Sequence, residues 1–282
     1  MTIVVDALTQ GASAGAILLL TSLGLTVIYG VMGVVNLAHG EFVMLGAYSS
    51  VLLTPIVGPW LAIAAAPVAV GAFGAILDRI VIKHLYRNPV RSMLGTFALA
   101  LILRQLITVI VGPGLQYSAP PIGGSFPLLF GAEISTWRLL VTAAAVTAAV
   151  AVGLWLARTK LGLGIRLTAS DHEMAQMLGL KTNRLSAVTF LVGAALAGFA
   201  GALIAPLASV SPDMGNQYLV DAFLIVVLAG LGNVRGAVVW SVIVGVATAA
   251  IAIPFDNVIA QVATWAAALV IVSVRTRTRV RV

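Results

Sequence analysis

Residues 8–29 read LTQGASAGAILLLTSLGLTVIY, a run of apolar and small residues without one charged side chain. Spanning the hydrocarbon core of a bilayer takes about 20 such residues as an α-helix. Leu8–Tyr29 is long enough, and it sits in a chain with many more runs like it. Residues 30–41, GVMGVVNLAHGE, interrupt the pattern with glycines and polar groups, and a short apolar piece at Phe42–Leu53 follows. The fold class read from this opening is an all-α, polytopic membrane helical bundle containing broken or short helices.

Composition agrees. Of 282 residues, 61% are hydrophobic and 9% are charged, whereas soluble domains carry about 25% charged residues. A hydrated surface cannot be built from this chain, which excludes a secreted domain, a cytosolic enzyme and a disordered tail. The apolar residues leave room for about eight or nine spans at about 20 residues each. The 28 glycines suit close helix packing. There is no cysteine, so disulfides, thiolate metal sites and a cysteine nucleophile are excluded. The segment Met1–Asp6 has no basic residue, so a cleaved signal peptide is not expected.

Apolar runs bounded by charge, Pro or Gly continue along the chain. They fall at Trp60–Leu77, Met93–Val111, Arg138–Ala157, Ser186–Ala205, Ala237–Ile253 and Val258–Val274, with a second short piece at Leu219–Leu231. Gly112–Thr136 is a Pro- and Gly-containing loop, and Pro206–Tyr218 a polar one. Nine crossings result if both short pieces cross, and eight if one is re-entrant. Basic residues concentrate in Arg79–Arg91, Arg158–Arg184 and Arg275–Arg281. The positive-inside rule puts all three in the cytoplasm, which gives an N-terminus outside and a C-terminus inside. The net charge of +7 is thereby read as topology control, and no nucleic-acid partner is expected. Spacings such as Gly11-xxx-Gly15, Ala194-xxx-Gly198 and Ala197-xxx-Gly201 read as helix packing. The two breaks suggest a transport pathway, because irregular backbone at membrane depth is tolerated only inside protein or beside a wet cavity.

The sequence lacks G-x-x-x-x-G-K-[ST], H-E-x-x-H and C-x-x-C, and its G-x-S-x-G at Gly11–Gly15 lies within the apolar run Leu8–Tyr29 instead of at a strand-to-helix turn, so no P-loop, zinc-protease or hydrolase reading is supported. No catalytic, cofactor-binding or metal-binding residue is assigned. Two segments carry the remaining polar chemistry. The first, Tyr29 to Tyr48, contains Tyr29, Gly33, Asn36, His39, Gly40 and Glu41. Ionisable groups near membrane depth usually face the bundle interior. A pathway-lining hinge and a solvated turn at the cytoplasmic interface both fit these residues. The second runs from Arg166 to Lys181. Ser170 stands as a helix N-cap with Glu173 three residues on, as in a capping box, and Gly179 as a C-cap glycine. Asp171, Glu173, Met174, Ala175 and Gly179 belong to this short helix, with Met174, Ala175 and Leu178 as its small apolar face. Two further polar residues, Arg104 and Gln105, lie inside Met93–Val111. Arg104 sits near the middle, so snorkelling is strained and a pathway role is expected; Arg104→Leu is expected to fold but to impair uptake.

The phrase Gly33-Val34-Val35-Asn36-Leu37-Ala38-His39-Gly40-Glu41, ending in Met44-Leu45-Gly46-Ala47-Tyr48, resembles the hallmark of permease subunits of branched-chain amino-acid ABC importers, the LivH type. Glu173-Met174-Ala175-x-x-x-Gly179 resembles the ABC-importer coupling loop, with Met in its middle place. Gly230-Leu231-Gly232-Asn233-Val234-Arg235-Gly236-Ala237 resembles the family's late Gly-rich motif, departing from it near Ala229 and Asn233. This resemblance covers essentially the whole chain. It implies one ABC-importer transmembrane domain over residues 1–282, with a cytoplasmic coupling loop at 158–185. It implies a multi-pass protein of the bacterial inner membrane that forms half of a translocation pathway for branched-chain amino acids. The expected partners are a second permease, two cytoplasmic ATPase subunits that hold ATP and Mg, an extracytoplasmic binding protein and the lipid bilayer; no cofactor is expected on this chain. Permeases for urea or short amides are closely similar, and a stand-alone secondary transporter or channel is the alternative. Gly232 and Asn233 join Arg104, Gln105 and the first segment as pathway or hinge candidates.

Overall fold

The computed structural model describes residues 2–85, 88–127 and 133–279, with side chains described between residues 7 and 274. Tyr86 and Arg87 of the first basic section, Arg281 and the side chains of the basic tail lie outside the described residues. Eleven α-helices are described: α1 (Thr2–Met32), α2 (His39–Val57), α3 (Pro59–Ile80), α4 (Pro89–Val111), α5 (Thr136–Arg158), α6 (Lys160–Ser170), α7 (His172–Met177), α8 (Thr182–Ile204), α9 (Met214–Ala229), α10 (Val234–Ala252) and α11 (Asn257–Arg279). A hairpin of β1 (Ser125–Pro127) and β2 (Glu133–Ser135) interrupts the loop before α5. Eight helices are long and apolar enough to cross a membrane, and α9 is a shorter apolar helix.

The apolar runs become helices at the expected places, with longer ends. Asn88 caps α4, its side-chain oxygen accepting from the amides of Val90 and Arg91 at 3.0 and 3.3 Å. The largest change concerns Phe42–Leu53, read from sequence as too short for a straight span. The helix there is 19 residues long. It starts at His39 and runs through Pro55 to Val57, because a proline this close to the C-terminus costs only one ladder bond. Leu219–Leu231 remains short, as α9 with 16 residues.

α1 and α8 form the centre and are buried along most of their length, while α4, α5, α10 and α11 expose most of theirs. α8 packs against α1, α2 and α3; α10 packs against α1, α9 and α11. The small-residue spacings do the packing expected of them. A methyl group on Gly11 would lie 2.6 Å from the Cα of Val246 in α10, and one on Gly198 would lie 2.6 Å from Val70 in α3. The main core joins Leu20, Leu23 and Ile28 of α1 to Phe42 and Tyr48 of α2, Phe190 of α8 and Trp137 of α5. Phe42 and Phe190 meet edge to face at 5.7 Å. Hydroxyls inside the helices, such as Thr21, Thr26 and Thr189, bond to carbonyls one turn back, so they need no partner elsewhere. α5 starts at β2 and ends one residue before α6, which places the hairpin and the α6–α7 unit at opposite ends of that helix.

Candidate functional site

The break between α1 and α2 is buried, not solvated. α1 ends at Met32, and Gly33 turns the chain with its amide donating to the Tyr29 carbonyl at 2.8 Å. Tyr29 is half-buried and Gly33 exposed, but Val34, Asn36 and Ala38 are all turned inward. The Asn36 carboxamide oxygen accepts from the Ala38 amide at 3.0 Å, and its carbonyl accepts from the His39 amide at 3.2 Å. Leu37 anchors the other side, its amide donating to Thr96 Oγ1 of α4 at 3.1 Å. Irregular backbone is thus held inside protein, as the apolar surroundings demand. The solvated-turn reading does not survive this burial.

His39 and Glu41 open α2 and point to different neighbours. His39 is fully buried, and its Nε2 lies 2.9 Å from the carbonyl of Thr21 in α1. A carbonyl only accepts, so the proton sits on Nε2. Glu41 is 1% exposed. Its Oε1 receives Arg104 Nη2 of α4 at 2.7 Å, a charge-assisted hydrogen bond. Arg104 Nη2 also donates to the side-chain oxygen of Asn216, and Nη1 lies 3.5 Å from Asp213 Oδ1.

Asp213 and Asn216 belong to the start of α9, so two helix N-termini meet at Arg104. Gly40 and Gly215 make the meeting possible. A methyl on Gly40 would overlap the Gly215 carbonyl, and one on Gly215 would lie 2.8 Å from the Gly40 carbonyl oxygen and 3.0 Å from Glu41 Oε2. The loop that leads into α9 is fixed by two bonds of 2.9 Å between the backbones of Gln116 and Val210. In the sequence Asp213 and Asn216 lie in the polar stretch Pro206–Tyr218. The available signal was their position just ahead of a helix too short to span.

The other candidates separate from this junction. Gln105 is exposed on α4 and turns away from it. Asn233 caps α10, its Oδ1 accepting from Gly236 at 3.0 Å and its Nδ2 donating to the Ala229 carbonyl at 3.1 Å, so it ties α9 to α10. Gly232 faces Gly30 of α1, where an added methyl would lie 3.2 Å from the Gly30 Cα.

The segment after α5 forms two helices instead of one. Ser170 is the last residue of α6, and the N-cap of α7 is Asp171, whose Oδ1 accepts from the Met174 amide at 2.9 Å. This corrects the capping box expected at Ser170: the carboxylate one residue later is in extended backbone and takes the role. The end is as expected and complete. Gly179 adopts φ +78°, its amide donates to the Gln176 carbonyl at 2.9 Å, and the Leu180 amide donates to the Ala175 carbonyl at 3.1 Å. These two bonds make a Schellman cap. Ala175 is the inward residue of α7. Met174, Met177 and Leu178 are 59%, 85% and 65% exposed, so Ala175 departs from the expected apolar face while Met174 and Leu178 point outward, with Glu173 exposed beside them.

The model of branched-chain amino acid transport system permease components matches residues 7–273. The chain belongs to this permease family. It is 30% identical over 259 residues to the Salmonella typhimurium high-affinity branched-chain amino acid transport system permease protein LivH, covering 85% of this chain and 83% of that one. The BraD permease protein of Pseudomonas aeruginosa is 28% identical over 260 residues, covering 86% and 84%. The LivM permease protein of Escherichia coli is 28% identical over 257 residues, covering 79% of this permease and 58% of LivM. No solved structure matches the permease. Family and spans together make it a multi-pass membrane protein and the translocation component of a multi-component transport system, not an enzyme.

Proposed function

We propose that this permease is the transmembrane subunit of an ABC importer in a bacterial inner membrane and forms half of a pathway for branched-chain amino acids. The carrying observation is α7, a rigidly capped helix that holds Met174, Met177, Leu178 and Glu173 outward from the bundle. An exposed apolar helix face of this kind fits a groove on a partner. The partner is a cytoplasmic ATPase subunit, one of two, which holds ATP and Mg. A second permease closes the pathway, and an extracytoplasmic binding protein delivers the solute. The N-terminus lies outside, the C-terminus inside, and residues 158–185 are the coupling loop of one transmembrane domain spanning 1–282.

Packing supports a mechanical route for the coupling. α6 packs against α1, α5, α7 and α8, through Ile165 with Val27, Val31, Leu156 and Leu185. A methyl on Gly30 would lie 3.7 Å from the Ala169 side chain, in ordinary contact. A push on α7 therefore reaches the last turn of α1, then the segment 33–38 with its buried Val34, Asn36 and Ala38, then the junction at Arg104. The substrate assignment rests on the likeness to branched-chain amino acid transport permeases.

Affinity purification of the tagged permease from native membranes tests the proposal. Recovery of a P-loop ATPase and a second permease is expected, and Met177→Asp is expected to reduce the ATPase yield while the permease still inserts. ATP-independent solute flux through the purified chain alone in liposomes would refute it.

A further inference from the structure

The junction of α2 and α9 holds opposite charges whose bonding capacity is not used up. Glu41 Oε2 and Arg104 Nε are buried and lack a hydrogen-bond partner. Glu41 lies 1% exposed, yet only one of its two oxygens is engaged. The Arg104 side chain is 19% exposed and the Asp213 side chain 80% exposed, so the cluster opens to the surface on the side of Arg104 and Asp213. The N-termini of a 19-residue and a 16-residue helix converge there. Their dipoles favour negative charge at that point, as does the guanidinium. The two carboxylates favour positive charge beside it.

An α-amino acid presents a carboxylate and an ammonium one carbon apart. We infer that the Arg104, Glu41, Asp213 and Asn216 cluster is a passing station for the amino-acid zwitterion. The solute's carboxylate takes the guanidinium fork of Arg104, which suits bidentate binding. Its ammonium takes the carboxylates of Glu41 and Asp213 that Arg104 releases. One ion pair is exchanged for two, and no buried charge stands alone during the passage, which a bare opening of the pair would entail. No covalent or proton-transfer step is involved. A neutral solute such as urea or an amide brings no charges to replace those of the pair and leaves it closed. The station thus selects among solutes after the binding protein has done so, and it rests on the reading of the chain as an amino-acid permease.

The test uses the assembled complex with both permeases and both ATPases in proteoliposomes, supplied with loaded binding protein. Arg104→Gln combined with Glu41→Gln removes both charges and keeps hydrogen-bonding groups. Leucine uptake is expected to fall about tenfold to a hundredfold, the equivalent of one ionic hydrogen bond, and Arg104→Lys to raise the half-saturating leucine concentration. A second measurement needs no variant. Without binding protein, millimolar leucine is expected to protect the wild-type complex from thermal unfolding, whereas 4-methylpentanoate, which is leucine without the ammonium, and isopentylamine, which is leucine without the carboxylate, are not. Equal protection by all three, or uptake by the double variant within about twofold of wild type, overturns the station. A wild-type complex that moves urea or a short amide instead of leucine overturns the amino-acid reading as well, which separates the two failures.

Discussion

Replacing Arg104 with leucine tests the ion pair between α4 and the start of α2. Glu41 is 1% exposed and its Arg104 contact is 2.7 Å long. Removing one member of a buried pair costs about 3–5 kcal/mol, because the other charge is stranded. Arg104 is itself one-fifth exposed, so water screens part of the interaction and the low end, about 3 kcal/mol, applies. That is about a hundredfold in the folded-to-unfolded ratio. The sequence alone suggests that Arg104→Leu folds normally; the buried partner changes that expectation to a clear loss of stability. Adding Glu41→Gln removes the stranded charge, so the double variant is expected to be more stable than Arg104→Leu alone. The assay is the fraction of monodisperse protein left after graded heating in detergent, read by size exclusion for all four members of the cycle. Wild-type stability in Arg104→Leu, or a double variant no better than the single, would refute the reasoning.

Gly179→Pro removes the amide that closes the α7 cap and demands negative φ where the backbone is at +78°; substrate-stimulated ATPase activity of the assembled complex is expected to be lost while membrane insertion persists. Glu173→Arg reverses the one acidic group on the exposed face of α7, and the same assay should show loss of coupling without loss of insertion. Gly215→Val drives a branched side chain into the Gly40 backbone; overpacking of this kind costs about 1–3 kcal/mol or more, and a reduced yield of folded protein by size exclusion is expected. His39→Ala leaves the Thr21 carbonyl with no His39 partner in a fully buried place, a loss of about 1–3 kcal/mol measurable by the same heating series.

Much of the architecture is legible in composition and periodicity, because bilayer thickness dictates the length of every apolar run. Helix ends were less so. The run at Phe42–Leu53 gains four residues at its end, through Val57, and three at its start, where His39 and Glu41 are polar residues that join the helix because Thr21 and Arg104 satisfy them from other helices. The N-cap at Asp171 instead of Ser170 turned on which of two adjacent acceptors sits in extended backbone, a choice made by the geometry where α6 ends. Arg104 and Glu41 were each visible as charges in apolar surroundings. Their pairing was not, since 63 residues separate them and no local spacing rule connects such positions. Asp213 and Asn216 carried less signal still, being ordinary residues of a polar loop until Gly40 and Gly215 bring two helix ends together.

That separation has a consequence for biogenesis. Glu41 emerges from the ribosome 63 residues before Arg104, and Arg104 a further 112 before Asn216. At about 5–20 residues per second, the carboxylate of α2 waits several seconds for its counter-ion and longer for the helix that completes its surroundings. An unpaired carboxylate is disfavoured in lipid, so α2 stays in the aqueous or protein-lined confines of the insertion machinery until α4 arrives. The pair is thereby expected to schedule assembly, with α2 and α4 leaving for the bilayer as a unit and α9 docking afterwards onto a site already neutralised.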